Sequence, residues 1–277
     1  PPMPPVAPTT FAPTAPVVAG AGSVDRKTRL KFLLRRLVGE VYAGKRMKMR
    51  HLTRIVRALP RPAAPRVLEV GCEDGTFSEW LSRLFPHAVI DAIDVDAEQV
   101  AANQRWAAAA GLAERIRFAH LDVLDFARES AYDLATAFDV LGYIPDDRAA
   151  VRRMAASLRP GGHLVIHQPN TTYVKLDGSA EYVPPERAGL ITHGHVRHGY
   201  SPAELAALLA GDPRLEVVSV RSLHGRLTDL AYRIYLRLER PAPLRLLSLP
   251  LVDLLCEIDR RVPQRHGNTV CAVARRR

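Results

Sequence analysis

Arg66-Val-Leu-Glu-Val-Gly-Cys-Glu-Asp-Gly75, continued by Thr76-Phe-Ser-Glu-Trp-Leu81, is the stretch on which the fold turns. Val67, Leu68 and Val70 form a short apolar run with β-branched residues, bounded upstream by Pro60, Pro62 and Pro65, which predicts a buried strand. Beyond Gly75, Phe77, Trp80, Leu81 and Leu84 follow the helical period of about 3.6 residues. A strand therefore hands over to a helix through a glycine turn, where glycine takes positive φ without a Cβ clash. Bare backbone N–H groups at a helix N-terminus suit a nucleotide-like ligand, so the turn predicts a cofactor site.

Strands and helices alternate outward from this unit, as a parallel α/β sheet requires. Ala88–Asp94 reads as a second strand, and Ala97–Ala110 as an alanine-rich helix capped by Asp96. Ile116–His120 is a third strand, ending at Leu121-Asp122-Val123, and Tyr132–Phe138 a fourth, with Asp139 at its carboxyl end. A helix from Asp147 to Leu158 leads into a turn, Arg159-Pro-Gly-Gly162, and a fifth strand, His163–His167. Ser201-Pro-Ala-Glu204 has the composition of a capping box with proline at the first helical position. Leu215–Val220 and Thr269–Ala274 supply a sixth and a seventh strand. The insertion between them, residues 222–267, has helical patterns interrupted at Pro241, Pro243 and Pro250.

Before the glycine turn the composition changes twice. Residues 1–24 are mostly Pro, Ala and Thr, too poor in large apolar groups to repay ordering, and are expected to be a disordered tail. Residues 25–60 read as two basic helices separated at Gly44, with Leu30, Leu33, Leu34, Leu37, Val38 and Val41 on one apolar face and Met47, Leu52, Ile55, Val56 and Leu59 on the next. The catalytic domain is expected over 61–277, with residues 171–200 as a less regular acceptor-side segment. A formal charge of +10 on 277 residues admits an anionic partner. The three cysteines match no disulfide or zinc spacing, which fits a reducing compartment. No secretory leader is read at the start, and no uncharged run approaches the ~20 residues of a spanning helix. The expected location is cytoplasmic, with peripheral contact at an anionic membrane surface offered by the basic segment.

The glycine stretch resembles the first motif of class I S-adenosylmethionine-dependent methyltransferases, commonly written (D/E)-x-G-x-G-x-G. Glu69, Gly71 and Gly75 match it, and Glu73 stands where the middle glycine is usual. The resemblance extends from Arg66 to about Asn170, and Leu158-Arg-Pro-Gly-Gly-His-Leu resembles the family's lead into its fifth strand. It implies a Rossmann-like seven-stranded, mostly parallel sheet with helices on both faces, an N-terminal helical cap and a helical insertion before the last strand. It also implies S-adenosyl-L-methionine as cofactor, held at Glu69, Gly71, Cys72 and Gly75. Asp94 would then meet the ribose hydroxyls, Asp122 the adenine amino group, and Val95 and Val123 would wall the base. Asp139 falls in the fourth motif, beside the transferring methyl. On the N-terminal helices Arg50, Arg46 and Tyr42 are candidates for the methionine carboxylate.

Methyl transfer asks mainly for alignment and exclusion of water, but a hydroxyl acceptor also needs its proton removed, which a histidine can do near pH 7. The candidate bases are His195, then His193, then His167. A metal reading of His193, His195 and His198 lacks a nearby carboxylate, and no metal is expected. The absence of (N/D)-P-P-(Y/F) and of a suitably placed cysteine after the fourth strand argues against DNA as acceptor, and the absence of paired glutamates against protein arginine. The resemblance points to the small-molecule branch, including quinone-ring O-methyltransferases and nodulation-type N-methyltransferases. The expected reaction is O-methylation of a hydrophobic acceptor. The alternatives are N-methylation of a small amine or sugar, RNA methylation, and a methyltransferase-like protein that binds without turnover. The oligomeric state is left open.

Overall fold

A computed structural model describes residues 39–174, 180–182, 194–238, 242–262, 264 and 266–277. The expected tail, the first basic helix and His193 lie outside the described residues. In chain order the elements are α1 (Ala43–Ala58), β1 (Arg66–Val70), α2 (Thr76–Leu84), β2 (Val89–Asp94), α3 (Ala97–Ala109), β3 (Ile116–His120), β4 (Tyr132–Phe138), α4 (Asp147–Ser157) and β5 (Leu158–Pro169). After these come β6 (Thr172–Val174), β7 (Ala180–Tyr182), α5 (Pro202–Ala210), β8 (Leu215–Leu223), α6 (Arg226–Arg237), α7 (Ala242–Asp259) and β9 (Thr269–Arg276).

Seven strands make one sheet in the order β3-β2-β1-β4-β5-β9-β8. The first five are mutually parallel, and β9 runs antiparallel between β5 and β8. This is the mostly parallel α/β sheet that the sequence predicts. Alternate strand residues serve opposite faces. Leu68, Ala135 and Leu164 pack under α4 and α5 with Val151, Met154, Leu205 and Leu209. Val67, Leu134 and Val165 pack against α1, α2 and α3 with Leu52, Phe77, Leu81 and Trp106. A third cluster joins Ala43 and Met47 of α1 to Ala231 and Tyr235 of α6 and to Leu249, Val252 and Cys256 of α7. The helix carrying the basic residues is thereby fixed against both insertion helices.

Local chemistry starts the helices where expected. Asp96 Oδ1 accepts from Gln99 N–H at 3.0 Å, and Ser201 and Glu204 form the reciprocal capping box. Three expectations change. Pro250 does not break α7, which continues through it without that residue's N–H donor. Arg159–Gly162 is not a turn before β5. Leu158 already pairs with Tyr132, and the register then shifts to Leu134 with His163, so the intervening residues bulge within the strand, with Gly161 at φ +81. The sixth strand extends to Leu223, into the expected insertion. No helix among the described residues is long and apolar enough to cross a membrane.

Candidate active site

The carboxyl ends of β1, β2, β4 and β5 converge on the glycine turn. Gly71 and Cys72 both donate their N–H groups to Ile93 O, at 2.9 and 3.2 Å, which ties the turn to β2. Gly71 has φ +76, and a Cβ there would lie 2.5 Å from Val140 Cγ2, so the backbone lies flat against the segment after β4. Gly75, at φ +70, is the N-cap of α2 and has no side chain to cap it; Asp74 Oδ1 accepts from the first helical N–H, that of Thr76, at 3.2 Å. Between them Glu73 has φ +44. The middle-glycine position thus keeps a left-handed backbone although its residue carries a Cβ, at a cost of about 1 kcal/mol or more.

Glu73 is held from three sides. Its N–H donates to Asp94 Oδ2 at 2.8 Å, its carbonyl accepts from Asn103 Nδ2 at 2.7 Å, and its carboxylate lies 3.0 Å from Lys45 Nζ. Lys45 also bonds Asp74 at 2.8 Å. Burial works against the Lys45 charge, but Asp74 and Glu73 outweigh it and raise the ammonium above its ordinary range. Asp94 accepts from Asp96 N–H with its other oxygen, at 3.0 Å. Each of its oxygens retains a lone-pair direction for a hydroxyl. Asp122 sits on the neighbouring strand end, where Leu121 N–H bonds Asp94 O at 3.0 Å, and its carboxylate caps the turn Val123–Asp125 by accepting from Leu124 N–H. Val95 is 65% exposed beside it, whereas Val123 is buried.

Glu69 is buried under the turn and accepts from Ser78 Oγ at 2.5 Å, while its Oε1 has no partner. Burial pushes its carboxyl up to about 8, with Asp74 and Asp94 adding to the rise. Cys72 is buried too, and desolvation raises its thiol far above the ordinary range, so it contributes shape and no nucleophile.

At the ends of β4 and β5 lies a second group. Asp139 takes φ +57 and donates its N–H to His167 O at 2.8 Å. Its Oδ1 accepts from His167 Nδ1 at 2.9 Å and its Oδ2 from Lys48 Nζ. Burial would raise the carboxyl, but Lys48 and His167 overcome it and hold Asp139 well below the usual carboxylate range. His167 is fully buried, and its Nε2 has no hydrogen-bond partner. The His224 ring lies 5.9 Å from it, and His51 packs edge-on to His224 at 4.8 Å. His51 Nε2 is 3.0 Å from Thr228 Oγ1. Burial lowers His51 to about 4 and takes His224 well below its ordinary value, so both are neutral near pH 7.

His195 lies nearer the surface. Its ring stacks on Tyr143 at 3.8 Å, over the turn Leu141–Tyr143, and Val196 N–H bonds Gly142 O at 2.8 Å. His195 and His167 are therefore both brought to the β4 exit, one at the rim and one beneath it. Arg50 and Tyr42 are not. Arg50 shares Asp253 of α7 with Arg46, and the Tyr42 hydroxyl is 3.4 Å from that of Tyr232. The reason is rotation of α1. Residues three apart, Lys45, Lys48 and His51, share a side that meets the turn, Asp139 and Thr228, whereas Arg46 and Arg50 lie on the side facing α7. The sequence marks Lys45 and Lys48 only as part of a basic helix and does not single out His51 or His224. The only signal for the first three is their common spacing on a predicted helix, and His224 had none.

Comparison with known proteins gives four findings. A family model described as "Methyltransferase domain" matches residues 43–212. The ubiquinone biosynthesis O-methyltransferase of Xanthomonas axonopodis pv. citri (strain 306) is 33% identical over 159 residues, covering 56% of this chain and 64% of that protein. The match thus spans less than two thirds of that relative. Among solved structures, geranyl diphosphate C-methyltransferase from Streptomyces coelicolor A3(2) superposes with a TM-score of 0.57 at 15% identity, covering 82% of this chain and 75% of that one. The [4+2]-cyclase SpnF gives 0.57 at 19% identity, covering 82% and 81%. Those structural likenesses speak for the fold alone.

Proposed function

The chain belongs to the methyltransferase-domain family, and from that premise we propose that it is an S-adenosylmethionine-dependent enzyme that methylates a hydroxyl of a small hydrophobic acceptor. The observation that carries the proposal is the Asp139–His167 pair at 2.9 Å, one residue from Val140, on which the Gly71 backbone rests. A base and a glycine turn of cofactor type then adjoin at the same sheet edge, where ligands bind in open α/β sheets.

The residues fit the cofactor. Gly71 and Gly75 carry no side chain to keep a ligand off the turn, the Glu73 backbone keeps the left-handed shape, and Asp94 offers two oxygens on the strand next to β1. Asp94 would hold the ribose hydroxyls and Asp122 the adenine amino group. Glu69 supports the turn from beneath, with one buried oxygen still without a partner. When bound, the cofactor supplies an activated methyl on a sulfonium, and no further electrophile is required of the protein.

The protein's own task is the proton. Asp139 fixes the His167 tautomer with hydrogen on Nδ1, leaving Nε2 as an acceptor. A buried acceptor without a partner costs about 1–3 kcal/mol, and an acceptor hydroxyl delivered to Nε2 would relieve that cost as it gives up its proton. His195 and Tyr143 would flank the entrance. An acceptor presented at an anionic membrane surface is the form of substrate that suits both the buried base and the basic character of α1.

The test is twofold. Calorimetry should give saturable binding of S-adenosylmethionine by the full chain, and radiolabelled methyl should pass to members of a panel of alkylated catechols and hydroquinones. Absence of cofactor binding would overturn the enzyme reading. Transfer confined to amines would replace O-methylation by N-methylation.

A further inference from the structure

Helix α7 buries one side and keeps a second apolar side in solvent. Leu249, Val252 and Cys256 face α1 and α6, while Leu244, Leu247, Leu251, Leu254 and Ile258 are exposed, Leu247 to 74% and Leu254 to 56%. The exposed set is spaced alternately by three and four residues, which keeps it on one stripe about 20 Å long. Val262, also exposed, carries the stripe beyond the helix end. There it borders a groove of about 570 Å³ lined by Arg54 of α1, Arg221 of β8, Arg260 and Arg261. Glu257 pairs with Arg260 and Arg261. Among the described residues Arg54 and Arg221 have no ion-pair partner.

A leucine stripe alone would suit a second copy of this chain or a lipid surface, and charge decides between them. Two copies meeting on this face would bring together two chains that each carry +10, which opposes association. An anionic surface meets the same groove with opposite sign, and guanidinium groups bind phosphate oxygens through paired N–H donors. We propose that the outer face of α7 and the adjoining arginine groove dock on an anionic phospholipid bilayer. The leucine stripe lies in the acyl boundary, and lipid phosphates occupy Arg54, Arg221, Arg260 and Arg261. The helix lies in the plane of the interface and does not span it. The inference rests on the reading of a membrane-presented acceptor for its purpose, but binding is measured without turnover.

The experiment is flotation of the full-length protein with vesicles of phosphatidylcholine alone or mixed with phosphatidylglycerol, in the absence of cofactor and acceptor. Binding is expected only with the anionic lipid, weakening as salt rises. Arg54→Gln with Arg221→Gln should lower the partition coefficient about thirtyfold, from two charges at the surface. Leu247→Ser, Leu251→Ser and Leu254→Ser together should abolish flotation at moderate salt while methyl transfer to a soluble acceptor continues. Three outcomes would overturn the proposal. One is failure to float with anionic vesicles at low salt. The second is saturation of the groove by inorganic phosphate without vesicle binding, which would make it a site for a free phosphate. The third is a dimer in light scattering that the leucine variant splits into monomers, which would make the stripe a self-interface. Methyl transfer that persists through any of these leaves the enzyme reading standing, and flotation without methyl transfer separates the two the other way.

Discussion

His167 Nδ1 and Asp139 Oδ1 lie 2.9 Å apart, joining the ends of two neighbouring parallel strands, and Lys48 closes the other side of the same carboxylate. The strand register sets this pairing, since Phe138 stands opposite His167 and the chain turns into the left-handed region at the next residue. Strand pairing, one left-handed residue and one helix residue together place an oriented imidazole under the β4 exit.

His167→Gln should therefore reduce turnover by about a hundredfold or more while cofactor affinity is kept. Raising the pH should recover part of the loss with a phenolic acceptor, which ionises near pH 10 unaided. His195→Ala, at the rim, should cost less. The reverse order of effects, measured as kcat for the two variants, would move the base to His195.

Asp94→Ala should weaken S-adenosylmethionine binding by about 2 kcal/mol or more, the scale of hydrogen bonds to a charged group. Because Asp94 also accepts from Glu73 and Asp96 N–H groups, the melting temperature should fall as well. Calorimetric affinity equal to that of the wild type would remove Asp94 from the ribose role.

Two glycine-to-alanine changes separate backbone strain from steric contact. Gly111 has φ +68 with open space around it, so Gly111→Ala should cost about 1 kcal/mol from conformation alone. Gly71 has φ +76 and Val140 Cγ2 would be 2.5 Å from its Cβ, so Gly71→Ala should cost clearly more, about 2 kcal/mol or above. Urea unfolding of the pair checks the ranking. Equal losses would mean that the turn after β4 yields freely.

Glu69 sets a pH dependence of the unliganded protein. Its native carboxyl is pushed up to about 8 from an ordinary value of 4.5, chiefly by burial. Between those values the native state keeps a proton that the unfolded chain has lost, so stability falls as pH rises, with a limiting slope of about 1.4 kcal/mol per unit. Glu69→Gln keeps the Ser78 contact available without the titration, and its unfolding free energy should be flatter over the same range. Parallel slopes for the two proteins would show that Glu69 does not carry the effect.

The order of elements was legible because its signals are local. Apolar runs such as Val67–Val70 and Leu134–Phe138 are bounded by prolines, glycines or polar turns, and Asp96 and Ser201 cap helices through contacts three residues away. Where a local signal competed with sheet pairing, pairing prevailed: β5 begins at Leu158 and absorbs Arg159–Gly162 as a bulge. The glycine motif likewise marked the turn, but that Glu73 adopts the glycine conformation is decided by its bonds to Asp94, Asn103 and Lys45, from three other elements.

The proposed base and its surroundings were only partly readable. His167 was a candidate by position, yet what distinguishes it from His195 is the contact with Asp139, which only strand register provides. Lys48 and His224 join it from a helix before β1 and from the residue after β8, and no spacing in the sequence relates them. Arg50 and Lys45 were equivalent as charges on one helix until packing against α6 and α7 fixed its rotation. The order of the strands, the caps and the glycine turn could be read from the chain, because propensity and hydrogen bonding act over a few residues, whereas pairing set where β5 starts and β8 ends. Tertiary structure alone decided which charged side chains meet, because a helix presents every side in turn and only burial of Ala43, Met47 and Leu52 selects which one faces the sheet edge.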